Sequence, residues 1–489
     1  MATGRSTANL LRVPIFDLDD LKSTHNAVLA VTEATKHPSN PVLPTGDLGA
    51  WDSSRIAFGG TVRWDARLDQ FRLWYTGNDV AARGTTDGRR MGYAESSDGV
   101  GWDKPDLGLH EFNGSFTNNL IAPAAVENLR GSMIGGLVSG DPTLPYTLVA
   151  KRGSERTFWH SPDGLQFTPE AEPFLRPNTE LGIAIAGTRD PVFDVHQWLY
   201  DPDDPNPARR FKAYAQFRRK RDGRRQIGLA FSSDGRHWSP ATTNPVLDPN
   251  DGNCAEIHFA TVHRYAGWYV MLYEFGWYEP LRGRFASDLR LAVSPDGEHF
   301  RRVNPSEPVV RRGASGAWDS GFLVTLGSAV ISRASGTFIY YTGQSDVWNS
   351  WPGRTALGFE GRPGFVYPGQ IGLATLPPDG FTSIRSADRE TPAVISTYPI
   401  DRQAQADRLW LSTQGTLPGR SWISVEILRP DGSIFEGYEE SSCRPIRTDG
   451  PDQPVVWQAG DTLPDHPAMA LRFRIYGDAR LHAYVIGPA

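Results

Sequence analysis

One phrase recurs along this chain of 489 residues. It reads YAESSDGVGW at Tyr93–Trp102, TFWHSPDGLQF at Thr157–Phe167, LAFSSDGRHW at Leu229–Trp238, LAVSPDGEHF at Leu291–Phe300 and LATLPPDGF at Leu373–Phe381. Each copy is an apolar-rich run, then Asp-Gly, then usually an aromatic. Asp-Gly suits a tight turn, because glycine takes positive φ at no steric cost and aspartate accepts from nearby backbone amides. The turn aspartates Asp98, Asp163, Asp234, Asp296 and Asp379 stand 65, 71, 62 and 83 residues apart. Ahead of each lies a second run rich in aromatic and β-branched residues, such as FRLWYTG (Phe71–Gly77), FKAYAQF (Phe211–Phe217) and TFIYYTG (Thr337–Gly343). Such residues favour a pleated, half-buried surface. A unit of a few strands cannot bury both faces alone, whereas a ring of such units can. The pattern therefore predicts a five-bladed β-propeller, with blades at residues 48–118, 119–180, 181–250, 251–313 and 314–385.

The chain is expected to be all-β throughout. From Leu409 the phrase stops, and WISVEIL (Trp422–Leu428), LRFRI (Leu471–Ile475) and LHAYVI (Leu481–Ile486) alternate as half-buried strands do. Residues 386–489 therefore read as a C-terminal β-sandwich, and the propeller as residues 48–385. Residues 1–47 are expected to pack on the propeller, with a short helix in DDLKSTHNAVLAVTEA (Asp19–Ala34). The 50 glycines and 38 prolines suit many turns.

The formal net charge is −6, and no basic block stands out on this reading, which argues against nucleic acid as a partner. Two cysteines, Cys254 and Cys443, make neither a disulfide framework nor a metal-spaced cluster. Neither a metal nor a cofactor is expected. The first 20 residues lack the apolar core of a signal peptide, and no apolar run of about 18 residues would span a membrane. The expectation is a cytoplasmic protein with no membrane partner.

A second repeat raises the question of chemistry. GAWDS occurs at Gly49–Ser53 and at Gly316–Ser320, and each copy leads on to YTG, at Tyr75–Gly77 and Tyr341–Gly343. It marks the approach to the innermost strand of blades one and five. Inner strands converge on a central funnel, so carboxylates at their ends meet although far apart in sequence. Blade one offers Asp52, blade three Asp190 in TRDPVFD, blade four Glu256 in DGNCAEIHF and blade five Asp319. Carboxylates are costly to bury unpaired, so a cluster of them points to function. Each also has a structural reading: an inner-strand residue for Asp52, which shares its phrase with Asp319, a blade-corner ion pair with Arg189 for Asp190, a solvated loop for Glu256. His258 and His263 read first as structural histidines, with His258 a candidate substrate contact. Trp51, Trp277 and Trp318 present flat faces of the kind that stack on sugar rings, or pack in the core.

A five-bladed propeller followed by a sandwich resembles glycoside hydrolase family 32, and is similar to the related propeller families 43, 62 and 68. The shared pieces are RDP at Arg189–Pro191 and a glutamate near a cysteine, here in the order CAE at Cys254–Glu256. WDSS at Trp51–Ser54 stands where that family carries its nucleophile motif. The resemblance implies a glycosidase or transglycosidase acting on furanose-type sugars, fructosides or arabinosides, with an oligosaccharide or glycoside as substrate. It implies Asp52 as nucleophile, Asp190 as the group that binds sugar hydroxyls, and Glu256 as acid/base, with Asp319 structural or a peripheral contact. Arg189 and Arg55 are then candidate substrate-binding cations. Glycoside cleavage needs such a carboxyl pair, one to protonate the leaving oxygen and one as nucleophile or base. The acid needs a raised pKa, which the apolar neighbours of Glu256 would supply. Two other readings compete: a non-catalytic carbohydrate-binding propeller, and a phosphorylase similar to family 130, which needs a cationic pocket beside the acid.

Overall fold

The structure is a computed structural model. It describes residues 10–53, 55–79, 90–122, 133–135, 143–152, 155–175, 182–184, 186–189, 194–250, 253–279, 284–345, 369–401 and 407–488. The chain divides into two compact units. One comprises Ala34–Ile331 and Phe338–Thr375; the other comprises Met1–Glu33, Ser332–Thr337 and Leu376–Ala489.

The first unit is a five-bladed propeller. Blade one is built from Arg55–Asp65, Gln70–Asn78 and Arg90–Ser96, and blade two from Met133–Gly135, Tyr146–Arg152, Glu155–Ser161 and Thr168–Pro169. Blade three comprises Asp194–Tyr200, Phe211–Arg218, Arg225–Ser232 and Ser239–Pro240; blade four comprises Ala260–Tyr265, Trp268–Glu279, Arg284–Ser294 and Arg301–Arg302. Blade five has Phe322–Arg333, Gly336–Gln344 and Gln370–Leu376. Within each blade successive strands pair antiparallel. The innermost strands of blades five and one meet in parallel at Ser328 and Thr61, which joins the last blade to the first.

Blade five takes its outer strand from Thr35–Lys36, which pairs with Ala374 and Thr375. This corrects the expected boundary at residue 47: part of the N-terminal stretch is a blade strand that closes the ring.

Four of the five Asp-Gly phrases fold alike. In each, a serine hydroxyl donates to the aspartate two residues on: Ser96 to Asp98 at 3.0 Å, Ser161 to Asp163 at 2.8 Å, Ser232 to Asp234 at 2.9 Å and Ser294 to Asp296 at 2.8 Å. The same carboxylate accepts the two amides beyond the glycine, as Asp98 does from Val100 and Gly101 at 2.8 and 2.9 Å. The glycines sit at φ of 76° to 78°, where a side chain is strained. These turns also join blades. Tyr340 of blade five donates to the Gly99 carbonyl, Trp74 of blade one to Gly164 and Tyr214 of blade three to Gly297, at 2.8, 2.7 and 2.8 Å.

The fifth phrase does not follow the expected equivalence. Pro377 replaces the serine, Asp379 itself adopts φ 62°, and its buried carboxylate takes the Arg12 guanidinium and the Ser412 hydroxyl within the second unit. Proline has no hydroxyl to offer, so the shared turn cannot form.

The second unit is a β-sandwich. One sheet carries Leu11–Pro14, Ala27–Val31, Thr382–Ser386, Arg408–Gln414, Gly450–Pro454 and Arg480–Gly487. The other carries Ser23–His25, Ala393–Ser396, Ile400–Asp401, Trp422–Leu428 and Ala468–Tyr476. Leu409, Leu411 and Leu481 from the first share one core with Ile423, Val425 and Phe473 from the second. The expected helix near the N-terminus is instead two strands. AVLAV favours extended backbone, and Asn26 at φ 50° breaks the run before it. These strands pair with Thr382–Ser386 and Ala393–Ser396, so residues up to Glu33 belong to the sandwich unit. Both cysteines are buried free thiols. No helix among the described residues is long and apolar enough to cross a membrane.

A candidate active site ahead of blade four

The stretch Cys254–Phe259 runs between two strands before it enters blade four. The Ala255 amide donates to the Gly276 carbonyl at 2.7 Å, and the Ile257 amide donates to the Arg225 carbonyl at 3.1 Å. Glu256 is thereby pinned between the third strand of blade three and the second strand of blade four. Its carboxylate accepts from Arg225 Nη1 at 2.8 Å and lies 2.5 Å from His258 Nε2. Burial pulls the Glu256 pKa up, but His258 and Arg225 outweigh it and hold the group below its ordinary value. This corrects the expected raised pKa: apolar neighbours surround Glu256 in sequence, and a guanidinium and an imidazole meet it in space.

The raised carboxyl is Glu274, which sequence reasoning missed. It lies on the second strand of blade four and is fully buried. Burial pushes it well above the usual carboxylate range, against the amides of His258 and Phe259. The His258 amide donates to Glu274 Oε2 at 3.0 Å, and Nδ1 of the same histidine lies 3.8 Å from Oε1. His258 is buried, its ring stacked on Phe285 at 4.7 Å. Burial depresses its pKa, against the charge of Glu256. A neutral imidazole has one N–H. A carboxylate only accepts, so that N–H is on Nε2, and Nδ1 turns its lone pair towards Glu274. His258 stands between the two carboxyls, its Nε2 2.5 Å from Glu256 and its Nδ1 3.8 Å from Glu274.

Further groups surround this line. His196, on the innermost strand of blade three, stacks on Phe259 at 4.6 Å. Asp194 opens that same strand, half-buried, and accepts from Gln216 Nε2 at 3.2 Å. Tyr278 is 42% exposed, and its hydroxyl is pushed up to about 12 by burial and then by the charge of Glu256. Trp277 is half-buried beneath the Arg312 guanidinium, 5.2 Å from its ring centre.

The two GAWDS aspartates share one environment. Asp52 is 2% exposed and accepts from the Tyr75 hydroxyl at 2.9 Å and Lys104 Nζ at 2.7 Å. Asp319 is 2% exposed and accepts from the Tyr341 hydroxyl at 2.9 Å and Lys36 Nζ at 2.5 Å. Trp51 stacks on Tyr75 and Trp318 on Tyr341, at 5.3 and 5.8 Å. Gly77 and Gly343 leave room for this: a Cβ on either would stand 2.7 Å from the aspartate Cβ. The expected parting of Asp52 from Asp319 has no counterpart in these contacts. Each aspartate folds back against its own blade's second strand and accepts from a tyrosine and a lysine on one oxygen, Oδ2.

Blade geometry explains the difference from Glu256. The Ile56 amide donates to the Gly369 carbonyl at 2.7 Å, just ahead of the third strand of blade five, as Ile257 does to Arg225. The residue before that isoleucine is Arg55 in blade one and Glu256 in blade four. Asp52 lies three positions earlier, inside the packed corner. Trp51 is buried and donates to Asn119 Oδ1 at 2.7 Å.

Asp190 lies outside the described residues. Arg189 is exposed and lines a cavity on blade three. Arg225 was missed, yet its signal was present: RRKRDGRR at Arg218–Arg225 places six cations in eight positions. This corrects the statement that no basic block stands out.

No family model matches the sequence, and no curated protein matches it. Solved structures do. The chain is similar to one described as "The GH130 family of mannoside phosphorylases contains glycoside hydrolases that target beta-1,2 mannosidic linkages in Candida mannan", with 14% identity and a TM-score of 0.43 over 71% of this chain and 94% of that one. It is similar to a glycosyl hydrolase from Bacteroides ovatus, at 14% identity and a TM-score of 0.43 over 71% and 94% of the two chains. It is also similar to a glycoside hydrolase family 43 arabinoxylan arabinofuranohydrolase from Bacillus subtilis, at 12% identity and a TM-score of 0.39 over 94% and 100%.

Proposed function

We propose that the propeller unit is a glycosidase in which Glu256 is the acid/base. The observation that supports this most is the buried Glu256 carboxylate held by Arg225 Nη1 at 2.8 Å and His258 Nε2 at 2.5 Å, with a second carboxyl, Glu274, behind the same histidine and shifted the opposite way in pKa. Such divergence suits acid/base work. Glu256, once protonated, gives its proton to the leaving oxygen as the glycosidic bond breaks, and takes one back from the attacking water, with His258 Nε2 holding the carboxylate at 2.5 Å. Arg225 positions the Glu256 carboxylate, and Tyr278 and Trp277 offer faces to a sugar ring.

The second carboxylate in this reading comes from the lead-in to blade three, Asp190 or Asp194, and not from Asp52. What supports Asp194 is its position two residues before His196, whose ring packs on Phe259 of the Glu256 segment. Asp190 keeps the hydroxyl-binding role that its RDP motif implies. Fructosides and arabinosides are the first substrates to try, on the resemblance set out above. A panel of aryl furanosides and pyranosides tests the reading: the full chain should release aryl alcohol from at least one, and Glu256→Gln should remove about 10²–10⁴-fold of that rate. Unchanged turnover in Glu256→Gln would end the assignment.

A further inference from the structure

The hairpin that carries Arg225 also carries most of the positive charge on blade three. Its strands Phe211–Arg218 and Arg225–Ser232 pair antiparallel, with Arg218 directly opposite Arg225. The tip and the stretch around Arg189 line a cavity of about 690 Å³. Four of its lining residues are cations, Arg189, Arg218, Arg219 and Lys220, and among the described residues no acid lines it. Like charges around one cavity repel one another, and an anion entering it removes that repulsion.

One of the cations is fixed in place. Arg219 donates to both oxygens of Asp222, at 2.9 and 2.5 Å, and to Asn250 Oδ1 at 2.7 Å. Asp222 offsets one of these charges. The cavity's position matters as much as its charge. Arg218 is one cross-strand step, about 4.5–5.5 Å between Cα atoms, from the arginine that grips Glu256. The volume falls in the range of about 300–1,000 Å³ typical of organic ligands, more than a lone inorganic anion needs.

We infer that the substrate is an anionic sugar. Its phosphate, sulfate or carboxylate group sits among Arg189, Arg218 and Lys220, and its glycosidic bond is presented to Glu256. This rests on the glycosidase reading for the second clause only; the anion site stands on the cavity. Guanidinium pairs match the planar oxygens of carboxylates and the oxygens of phosphate, so the shared chemistry is an oxyanion on a sugar ring.

Calorimetric titration of the full-length Glu256→Gln protein tests it without turnover. The ligands are a uronic acid disaccharide, a hexose phosphate, a sulfated hexose, their neutral parent sugars and inorganic phosphate. At least one anionic sugar should bind tenfold or more tightly than its neutral parent, with the gain shrinking as salt rises. The double variant Arg189→Gln/Lys220→Gln should abolish that gain without a lower melting temperature, because it relieves like-charge repulsion. Equal binding of charged and neutral sugars would overturn the inference, as would a gain that survives the double variant. Inorganic phosphate binding as tightly as the hexose phosphate would overturn it too, and assign the cavity to a free anion. Full turnover by Glu256→Gln would defeat the glycosidase assignment while leaving these binding results intact.

Discussion

Glu256 and Glu274 are the same residue type in the same blade, and their surroundings set them apart. Glu256 has a guanidinium and an imidazole N–H within hydrogen-bonding distance and stays ionised. Glu274 is fully buried with two amides and no guanidinium or ammonium in contact among the described residues, and burial pushes its pKa well above the usual carboxylate range. Removing Arg225 should therefore raise the Glu256 pKa. In Arg225→Gln the basic limb of the pH–rate profile should move to higher pH, with the folded fraction unchanged. An unshifted limb would mean that Arg225 does not act through Glu256. Asp52 and Asp319 make the opposite case: two residues with matched contacts should respond alike. Asp52→Asn and Asp319→Asn should each cost about 1–3 kcal/mol of stability, since each leaves a lysine without its buried partner. Both variants should retain most of their turnover where folded, and equilibrium unfolding checks the first part. A stable, inactive Asp52→Asn would restore it as a catalytic residue.

At the scale of elements, the Ser-x-Asp-Gly turn closes a hairpin, and at Gly99, Gly164 and Gly297 it also receives an aromatic donor from the neighbouring blade. Gly164 shows the second duty. It sits at φ 77°, and a Cβ there would stand 3.0 Å from both Arg72 Nη1 and Trp74 Cζ2. Gly267 has a similar φ of 83° with nothing within 4 Å. Both alanine variants incur backbone strain of more than about 1 kcal/mol. Gly164→Ala should incur more, and the difference in melting temperature between the two measures the blade junction; equal shifts would show that the junction adds nothing. The turns were legible in sequence because their chemistry is local. The closing strand Thr35–Lys36 was not, because two residues carry no period and their partners lie more than 330 positions away. Glu256 was legible from its motif and Arg225 stood in a basic run, but nothing local tied Arg225 or Glu274 to Glu256. What qualifies them is a meeting of three strands, and no local pattern encodes it. Proline at 377 did announce that the fifth phrase would differ, since the turn needs a hydroxyl there.

For the whole molecule, pH should act from two sides. Amides of Val100 and Gly101 hold Asp98 below its ordinary value of 3.8. Burial pulls Asp163, Asp234 and Asp296 up, and backbone amides again win, so all four turn carboxyls are depressed. A depressed carboxyl stabilises the fold above its unfolded pKa and loses that contribution as pH falls through its folded value. The propeller should therefore weaken below pH 4. Glu274 has the reverse sign. Its raised pKa stabilises the fold below its ordinary value of 4.5, and that contribution is lost as pH rises towards the folded value. The melting temperature of Glu274→Gln should thus gain on that of the parent as pH rises from 4.5, and a constant difference would show that Glu274 does not hold its proton.

The central claim is that chemistry gathers around Glu256 and that Asp52 belongs to the framework. The most direct test is turnover by Glu256→Gln and Asp52→Asn on one aryl glycoside that the parent cleaves, below the melting temperature of both variants. The arrangement predicts that Glu256→Gln falls by about 10²–10⁴-fold while Asp52→Asn stays within a few-fold of the parent. Loss of turnover in Asp52→Asn with Glu256→Gln unaffected would contradict it.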